Sequence, residues 1–212
     1  MLGIATVLSI GALTIATLPA DVQRRLHSNY PSWAVREGRS AGTVIEAIVE
    51  ADGKVRECRV LAFVGNERLA IEECAGLLRH KLKPARDQAG RPILSVYRNS
   101  MRRHLDQRNS DPEAYAVKNW KFPPNLTLKD SSLSGGASPV DVDVILYVER
   151  DGSASACEAR PRISSEAAAF VPRVCADLAT RKMPGVSGTD GTPAPYVTNL
   201  TVRLEAGTPD KT

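Results

Sequence analysis

Two stretches of the chain alternate apolar and polar positions with a period of two, and each stops at an Asp-Gly pair, Asp52-Gly53 or Asp151-Gly152. Period-two alternation that ends in Asp-Gly predicts a β-hairpin, because this dipeptide suits a tight turn between strands. The predicted inward positions are Thr43, Ile45, Ala47 and Val49 in the first stretch and Val142, Val144, Leu146 and Val148 in the second. We therefore expect each stretch to open a unit with two antiparallel strands.

An apolar stripe at helical spacing follows each hairpin and predicts a helix. Each stripe follows a candidate N-cap residue, Asn66 in the first unit and Ser165 in the second. The apolar residues are Ala70, Cys74, Leu77, Leu78 and Leu82 in the first stripe and Phe170, Val174, Cys175 and Leu178 in the second. Pro172 falls inside the second stripe, so it either kinks that helix or marks a later start. A Gly-x-Pro turn then leads to a closing strand, residues 93–105 or 194–204.

The order strand, strand, helix, strand thus occurs twice, which indicates an internal duplication. Aligning the Asp-Gly pairs places Cys58 on Cys157, and a two-residue insertion then brings Cys74 onto Cys175. The predicted fold class is α+β, with two tandem modules. Each module is a small antiparallel sheet of order β-β-α-β with its helix packed on one face.

Composition divides the chain into five segments. We expect residues 1–20 to be a signal peptide or membrane anchor, 21–108 the first module, 109–139 a linker and entry segment, 140–206 the second module, and 207–212 a tail. Residues 1–20 contain no charged side chain and end in Leu-Pro-Ala, which fits a secretory signal cleaved after Ala20. An uncleaved membrane anchor is the rival interpretation, and a buried core helix is a third.

The four cysteines of a chain with a predicted export signal indicate disulfide bonds. In each unit one cysteine lies on a strand and the other on the apolar face of the following helix, so the predicted pairs are Cys58–Cys74 and Cys157–Cys175. Two buried thiols in each unit are the alternative. No cysteine has Cys-x-x-Cys spacing and the three histidines are scattered, so we predict neither a metal site nor a cofactor.

The net charge of +4 lies mainly in the first half of the chain. A basic half can indicate nucleic-acid binding, but export and the lack of interleaved aromatic residues argue against that partner. No nucleophile and base occur at a recognised spacing, and Asp52 and Asp151 are explained as hairpin-turn residues. Similarly, Arg102-Arg103-His104 is explained as an exposed strand end. We therefore expect a binding protein and not an enzyme.

The motifs of the first unit, taken in order, resemble the TonB C-terminal domain family. These motifs are Tyr30-Pro31 with Ala34 nearby, Gly42-Thr-Val44, Asp52-Gly53, Pro84-Ala85 and Gly90-Arg-Pro92. The resemblance covers roughly residues 30–105, and the second unit keeps the hairpin, helix, Gly-x-Pro turn and closing strand. The chain shows no clear basic cytoplasmic end or proline-rich spacer, and paired cysteines are not part of the usual family pattern.

The resemblance implies a periplasmic protein that binds TonB-dependent outer-membrane transporters, because family members pair a sheet edge with an extended peptide. Carried onto this chain, the partner-binding candidates are Tyr30, Pro31, Val96, Tyr97, Arg98, Asn99 and Ser100, with Tyr196, Val197, Asn199 and Thr201 as weaker ones. One alternative is an inner-membrane-anchored energy transducer. Another is a structural or inhibitor-like periplasmic protein whose two closing strands pair with each other and so cover the edge. A membrane contact is expected only if residues 1–20 are uncleaved.

Overall fold

The computed structural model describes residues 11–28, 30–105, 112–133 and 138–207, and within them the chain is a mixed α/β protein. The helices are α1 (Ala20–Ser28), α2 (Ser32–Arg36), α3 (Glu67–Leu77), α4 (Pro112–Asn119), α5 (Ser165–Ala168) and α6 (Val171–Ala179). The strands are β1 (Ala41–Val49), β2 (Val55–Gly65), β3 (Ala85–Arg86), β4 (Pro92–Ile93), β5 (Ser95–Arg103), β6 (Leu126–Asp130), β7 (Val140–Val148), β8 (Ala154–Ala159) and β9 (Tyr196–Ala206).

One mixed sheet runs through both halves of the chain. Its strand order is β2-β1-β5-β9-β7-β8, and β6 also pairs with β9, whereas β3 and β4 form a separate two-stranded sheet. Within each half the neighbours are antiparallel, as the sequence predicts. The halves meet where β5 runs parallel to β9, with Ser95 opposite Val197 and Val96 opposite Thr198. We call this contact the joint. Because of it, the structure has one large sheet where the sequence predicts two separate small ones.

Both hairpins turn at the predicted glycines, which adopt positive φ angles of 84° at Gly53 and 83° at Gly152. The backbone that follows the helix of each half then docks on the turn. The Leu82 amide donates to the Gly53 carbonyl, and the Met183 amide donates to the Gly152 carbonyl, both at 2.8 Å. The two halves therefore repeat a tertiary contact as well as an order of elements.

The helix starts show how capping residues define these elements. The Asn66 side chain accepts a hydrogen bond from the Leu69 amide and caps α3, as predicted. In the second half Ser164 and not Ser165 is the cap, and it begins the short helix α5. Pro172 lies in the first turn of α6, where its missing N–H group breaks no helical bond. The proline therefore marks a later helix start and not a kink.

The two main helices lie on opposite faces of the sheet. One core cluster contains Leu77 of α3 and Tyr97 of β5, and another contains Leu178 of α6 and Val96 of β5. Successive residues of a strand point to opposite faces of a sheet. Since Val96 packs with α6 and its neighbour Tyr97 packs with α3, the two helices lie on different sides. In each half we call the face turned away from its own main helix the back face.

The described part of the segment before α1, residues 11–19, contains no helix or strand and packs on the folded body, and we call it the strap. Leu13 is 3% exposed and Ala16 is fully buried, and Thr14 and Thr17 bridge to Arg86 and Lys83. Residues 1–10 lie outside the described part of the chain, so the expected cleavage after Ala20 stays a prediction. No helix in the described part is both long and apolar enough to cross a membrane.

The region between the halves contains regular structure in addition to loop. The helix α4 contacts β1 and β2 of the first half, and β6 pairs with β9 of the second half. The Trp120 ring lies against Gly42 and Val64 of the first half, where a Cβ atom at Gly42 would lie 2.7 Å from the ring. This region therefore contacts both halves.

Candidate protein-binding site

Both predicted disulfides are present. The Cys58–Cys74 bond links β2 to α3 with a Cα–Cα distance of 5.4 Å, and the Cys157–Cys175 bond links β8 to α6 with a Cα–Cα distance of 5.6 Å. The predicted pairing is confirmed. Disulfides persist in oxidising compartments, so the bonds indicate an exported protein.

The predicted contact strand β5 is internal at Val96 to Arg98. Strand β1 covers one side of β5 along its whole length, and the joint with β9 covers the other side at Val96. At Arg98 the Asn199 side chain takes the place of a neighbouring peptide group. Its Oδ1 accepts from the Arg98 amide at 3.1 Å, and its Nδ2 donates to the Arg98 carbonyl at 3.0 Å. The expected open edge is thus occupied at these residues, and Asn99 and Ser100 lie beyond the joint.

The Tyr30–Pro31 segment lies at the far end of β5 from Val96. The Tyr30 hydroxyl donates to the Arg39 carbonyl at 2.5 Å, its ring lies 5.9 Å from the Arg103 guanidinium, and burial raises the pKa of Tyr30. Arg103 is seven residues from Val96 along the strand, or about 23 Å at the usual rise. Ser100, at the other end of the predicted group, is only three residues or about 10 Å from Arg103, so Tyr30 and Pro31 lie beyond the Ser100 end of the contact strand and far from Val96.

Most of the remaining candidates on the closing strands are held inside the protein. Tyr97 is buried under α3, and this burial raises its pKa to about 12. The weaker candidates are Tyr196, which donates to the Pro184 carbonyl at 2.7 Å, fully buried Val197, Asn199 in the joint, and Thr201, which donates to Asp143 at 2.5 Å. Tyr196 and Val197 offer little surface to a partner, whereas Asn199 and Thr201 line a groove of about 400 Å³ together with Arg98, Asn99 and Ser100.

A groove of about 860 Å³ opens where the back face of the first half meets the second half, and we call it the seam groove. Its floor is Val44, Glu46 and Ile48 of β1, Arg59 of β2, and Val96 and Arg98 of β5. The end of α6 and the segment 183–186 form one wall, and residues 123–126 form the other. The floor is apolar at both ends and charged in the middle.

The charged part of the floor is a carboxylate between two guanidinium groups. Arg59 donates from Nε and Nη2 to Oε1 of Glu46 at 2.9 and 2.5 Å. Arg98 contacts Oε2 of Glu46 from Nε and Nη2 at 2.7 and 2.6 Å. Glu46 is 8% exposed, whereas the Arg59 side chain is 71% exposed, so the cluster presents one surplus positive charge to solvent.

Strand β2 is one of the two ends of the main sheet, and it is 11 residues long. Its exposed side chains include Leu61, 42% exposed, and Phe63, 43% exposed. Leu61 also lines the seam groove. The hairpin pattern predicts this strand but does not mark it as a contact strand. The unbroken apolar run Val60-Leu-Ala-Phe-Val64, which is apolar on both faces of a strand, was the available signal.

No metal site accompanies these surfaces in the described residues, since no three His, Cys, Asp or Glu side chains are grouped there to hold an ion. Comparison of the chain with known protein families, curated proteins and solved structures found no match.

Proposed function

We propose that this chain is a periplasmic protein-binding module of the TonB C-terminal-like kind, built from two tandem copies, and that it contacts TonB-dependent outer-membrane transporters by edge-strand pairing. Three features support the proposal. The motif order of the first unit resembles that family, the β-β-α-β arrangement occurs twice, and the two disulfides suit the periplasm.

The observation that carries the proposal is the outer edge of β2. Among the described strands only β1 pairs with β2, so the outer side of an 11-residue strand has no strand beside it. A long edge strand with exposed apolar side chains is a template for pairing with another chain. Since β5 is internal, β2 replaces it as the proposed contact strand.

The neighbouring groove gives this edge a chemical preference. A strand added beside β2 continues both faces of the sheet, and on the seam-groove side its side chains lie next to Arg59 and Leu61. Arg59 is mostly exposed and favours an acidic neighbour, whereas Leu61 favours an apolar one. The proposed ligand is therefore an extended transporter segment with alternate acidic and apolar side chains on that face.

The test uses the exported, disulfide-bonded protein immobilised on a resin and an outer-membrane extract. The double variant Leu61→Lys/Phe63→Lys places two charges along the edge, the device by which natural sheets prevent edge pairing. We expect the wild type to recover a TonB-dependent transporter, identified by mass spectrometry, and the variant to recover at least tenfold less. Ile71→Lys is the matched control, because Ile71 is 54% exposed on α3, outside the edge.

A structural role is the second candidate function, and the joint between β5 and β9 favours it. This joint is the self-pairing of closing strands that the structural alternative requires. That role predicts equal recovery by the wild type and the edge variant, with no transporter in either. The anchored-transducer alternative predicts that the mature protein keeps residues 1–20, which its intact mass reports directly.

A further inference from the structure

The strap lies along a track of backbone groups that belong to the folded body. The Thr14 amide donates to the Arg86 carbonyl at 3.1 Å and the Arg86 amide returns a bond to the Thr14 carbonyl at 3.0 Å. Thr17 and Lys83 exchange the same pair of bonds at 3.0 and 2.8 Å. The strap is therefore held by two isolated antiparallel bridges, which use the same backbone-to-backbone pairing as β-augmentation.

One further bond of the track comes from a side chain. The Leu13 amide donates to Oε2 of Glu158 at 3.0 Å, and the other carboxylate oxygen, Oε1, accepts from the Gln88 side chain at 3.0 Å. In addition, the backbone carbonyl of Gln88 accepts a hydrogen bond from the Gly11 amide at 2.8 Å. The carboxylate thus binds a backbone N–H group of whichever extended chain occupies the track.

Two strap side chains fill sites of different size. Leu13 packs against Ala85, Ile145 and Val197 on the back face of the second half, and each of the three is at most 1% exposed. Ala16 is fully buried within the core cluster that contains α3. The track therefore accepts a large apolar side chain and, three residues later, a small one.

From this geometry we infer that the track becomes a second peptide-binding site when residues 1–20 are removed, and that its ligand is an extended segment of another protein with the pattern Leu-x-x-Ala. The inference rests on the proposed function, because it needs export with cleavage after Ala20. Cleavage uncovers the apolar site of Ala85, Ile145 and Val197 together with the backbone of residues 83–88 and the Glu158 carboxylate. An exposed apolar surface of this kind, beside unpaired backbone groups, selects an extended peptide.

The probe is a synthetic peptide with the sequence of residues 11–19 and blocked ends, titrated into the naturally exported, non-reduced protein. Intact mass first establishes that residues 1–20 are gone, and calorimetry then measures the dissociation constant. We expect binding at a stoichiometry of one. A peptide with Trp in place of Ala16 should bind at least tenfold more weakly, because the small site is fully buried.

Two protein variants distinguish binding in the track from non-specific binding of the peptide. Glu158→Ala removes the acceptor of the Leu13 amide and should weaken peptide binding about tenfold. The control is Glu166→Ala, since Glu166 is exposed on α5, whose Ala167 packs in the core cluster of α6 on the face of the sheet opposite the strap. It should leave the dissociation constant unchanged.

Three results would overturn the inference, and the first two are an exported protein that retains residues 1–20 and a processed protein that does not bind the peptide. Equal binding of the Ala16 and Trp peptides would also do so. None of these results alters the recovery of a transporter through Leu61 and Phe63, so failure of this site and failure of the proposed function are distinguishable.

Discussion

The two halves share one framework but differ on their back faces. Each has a hairpin tied at a glycine, a disulfide-bonded helix, and a closing strand at the joint. Glu46, opposite Arg98 in the first half, corresponds to Ile145, opposite Asn199 in the second. The first position is part of a charged cluster in an open groove, and the second is an apolar residue under the strap.

This difference indicates where two halves with the same order of elements are free to differ. The side facing the main helix must keep its apolar packing in both halves, because the helix and the disulfide depend on it. The back face does not have to pack against a main helix, so it forms a groove in the first half and is covered by the strap in the second. Both sites proposed above adjoin or lie on back faces, and the following substitutions probe the comparison.

The largest expected effect comes from giving the second half the charge of the first. Ile145→Glu places a carboxylate at a position that is 1% exposed and surrounded by Leu13, Ala85 and Val197. An uncompensated buried charge costs about 4 kcal/mol, so we expect that loss in the free energy of unfolding at neutral pH, measured by urea denaturation. The reciprocal variant Glu46→Ile should lose less, about 2 kcal/mol, because Arg59 is largely hydrated and Arg98, whose side chain is 19% exposed, still faces the open groove. Equal losses would show that the two back faces are not different environments.

The disulfides should contribute alike in the two halves. Each closes a loop with a sequence separation of 16 or 18 residues, which corresponds to about 3 kcal/mol of loop-closure entropy. We expect the double variants Cys58→Ser/Cys74→Ser and Cys157→Ser/Cys175→Ser to lose similar free energies of unfolding. A bridge whose removal changed nothing would mean that its half folds without needing to restrain its helix.

Replacing a hairpin glycine by alanine should lower the free energy of unfolding more where the docked backbone lies closer to that glycine. A Cβ atom at Gly53 would lie 2.0 Å from the Leu82 carbonyl oxygen, and one at Gly152 would lie 2.6 Å from the Met183 oxygen. Both glycines also have positive φ angles, which alanine adopts only with strain. We therefore expect Gly53→Ala and Gly152→Ala each to lower the free energy of unfolding by about 2 kcal/mol or more, with the larger loss at Gly53.

Gly90→Ala is the control for these two variants. It has a φ of 75° but no atom within 4 Å of an added Cβ, so only the backbone conformation is penalised, by about 1 kcal/mol. Thermal denaturation of the three variants tests the ranking. A control as unstable as Gly53→Ala would mean that the docked backbone contributes nothing.

The smallest expected effect is a loss of stability at alkaline pH, and it should be the same in both halves. Burial raises the pKa values of Tyr97 and Tyr196 to about 12, above the usual value of 10. A raised pKa in the folded state stabilises the protein below pH 10, and this contribution is lost between pH 10 and 12. At pH 11 each tyrosine should account for about 1 kcal/mol. Replacing either by Phe should reduce the slope of unfolding free energy against pH, and an unchanged slope in both variants would contradict the assignment.

Local features of the chain predict much of each half. Alternation before Asp52-Gly53 and Asp151-Gly152 gives the hairpins, and the cysteine positions on strand and helix give both disulfides, because these relationships involve neighbouring elements. The capping side chain in the second half differs by one position, Ser164 instead of Ser165, since two adjacent serines satisfy the same pattern.

The joint and the two proposed protein-binding surfaces do not follow from such patterns. Period two tells which residues of β5 share a face, but not that β9 lies beside it or that Asn199 completes the pairing. Likewise, the uncharged segment before Ala20 has the composition of a signal peptide, and nothing local distinguishes that from a strap that fits Leu13 and Ala16 into the core. Each feature depends on contacts between residues far apart in the chain.

The parallel course of β5 and β9 has a mechanical consequence. Tension that draws the two closing strands in opposite directions along their length loads the bonds at Ser95, Val96 and Arg98 together, whereas tension across the sheet breaks them one after another. A protein built this way resists sliding of its halves much better than peeling, so the direction of an applied load decides whether it stays whole.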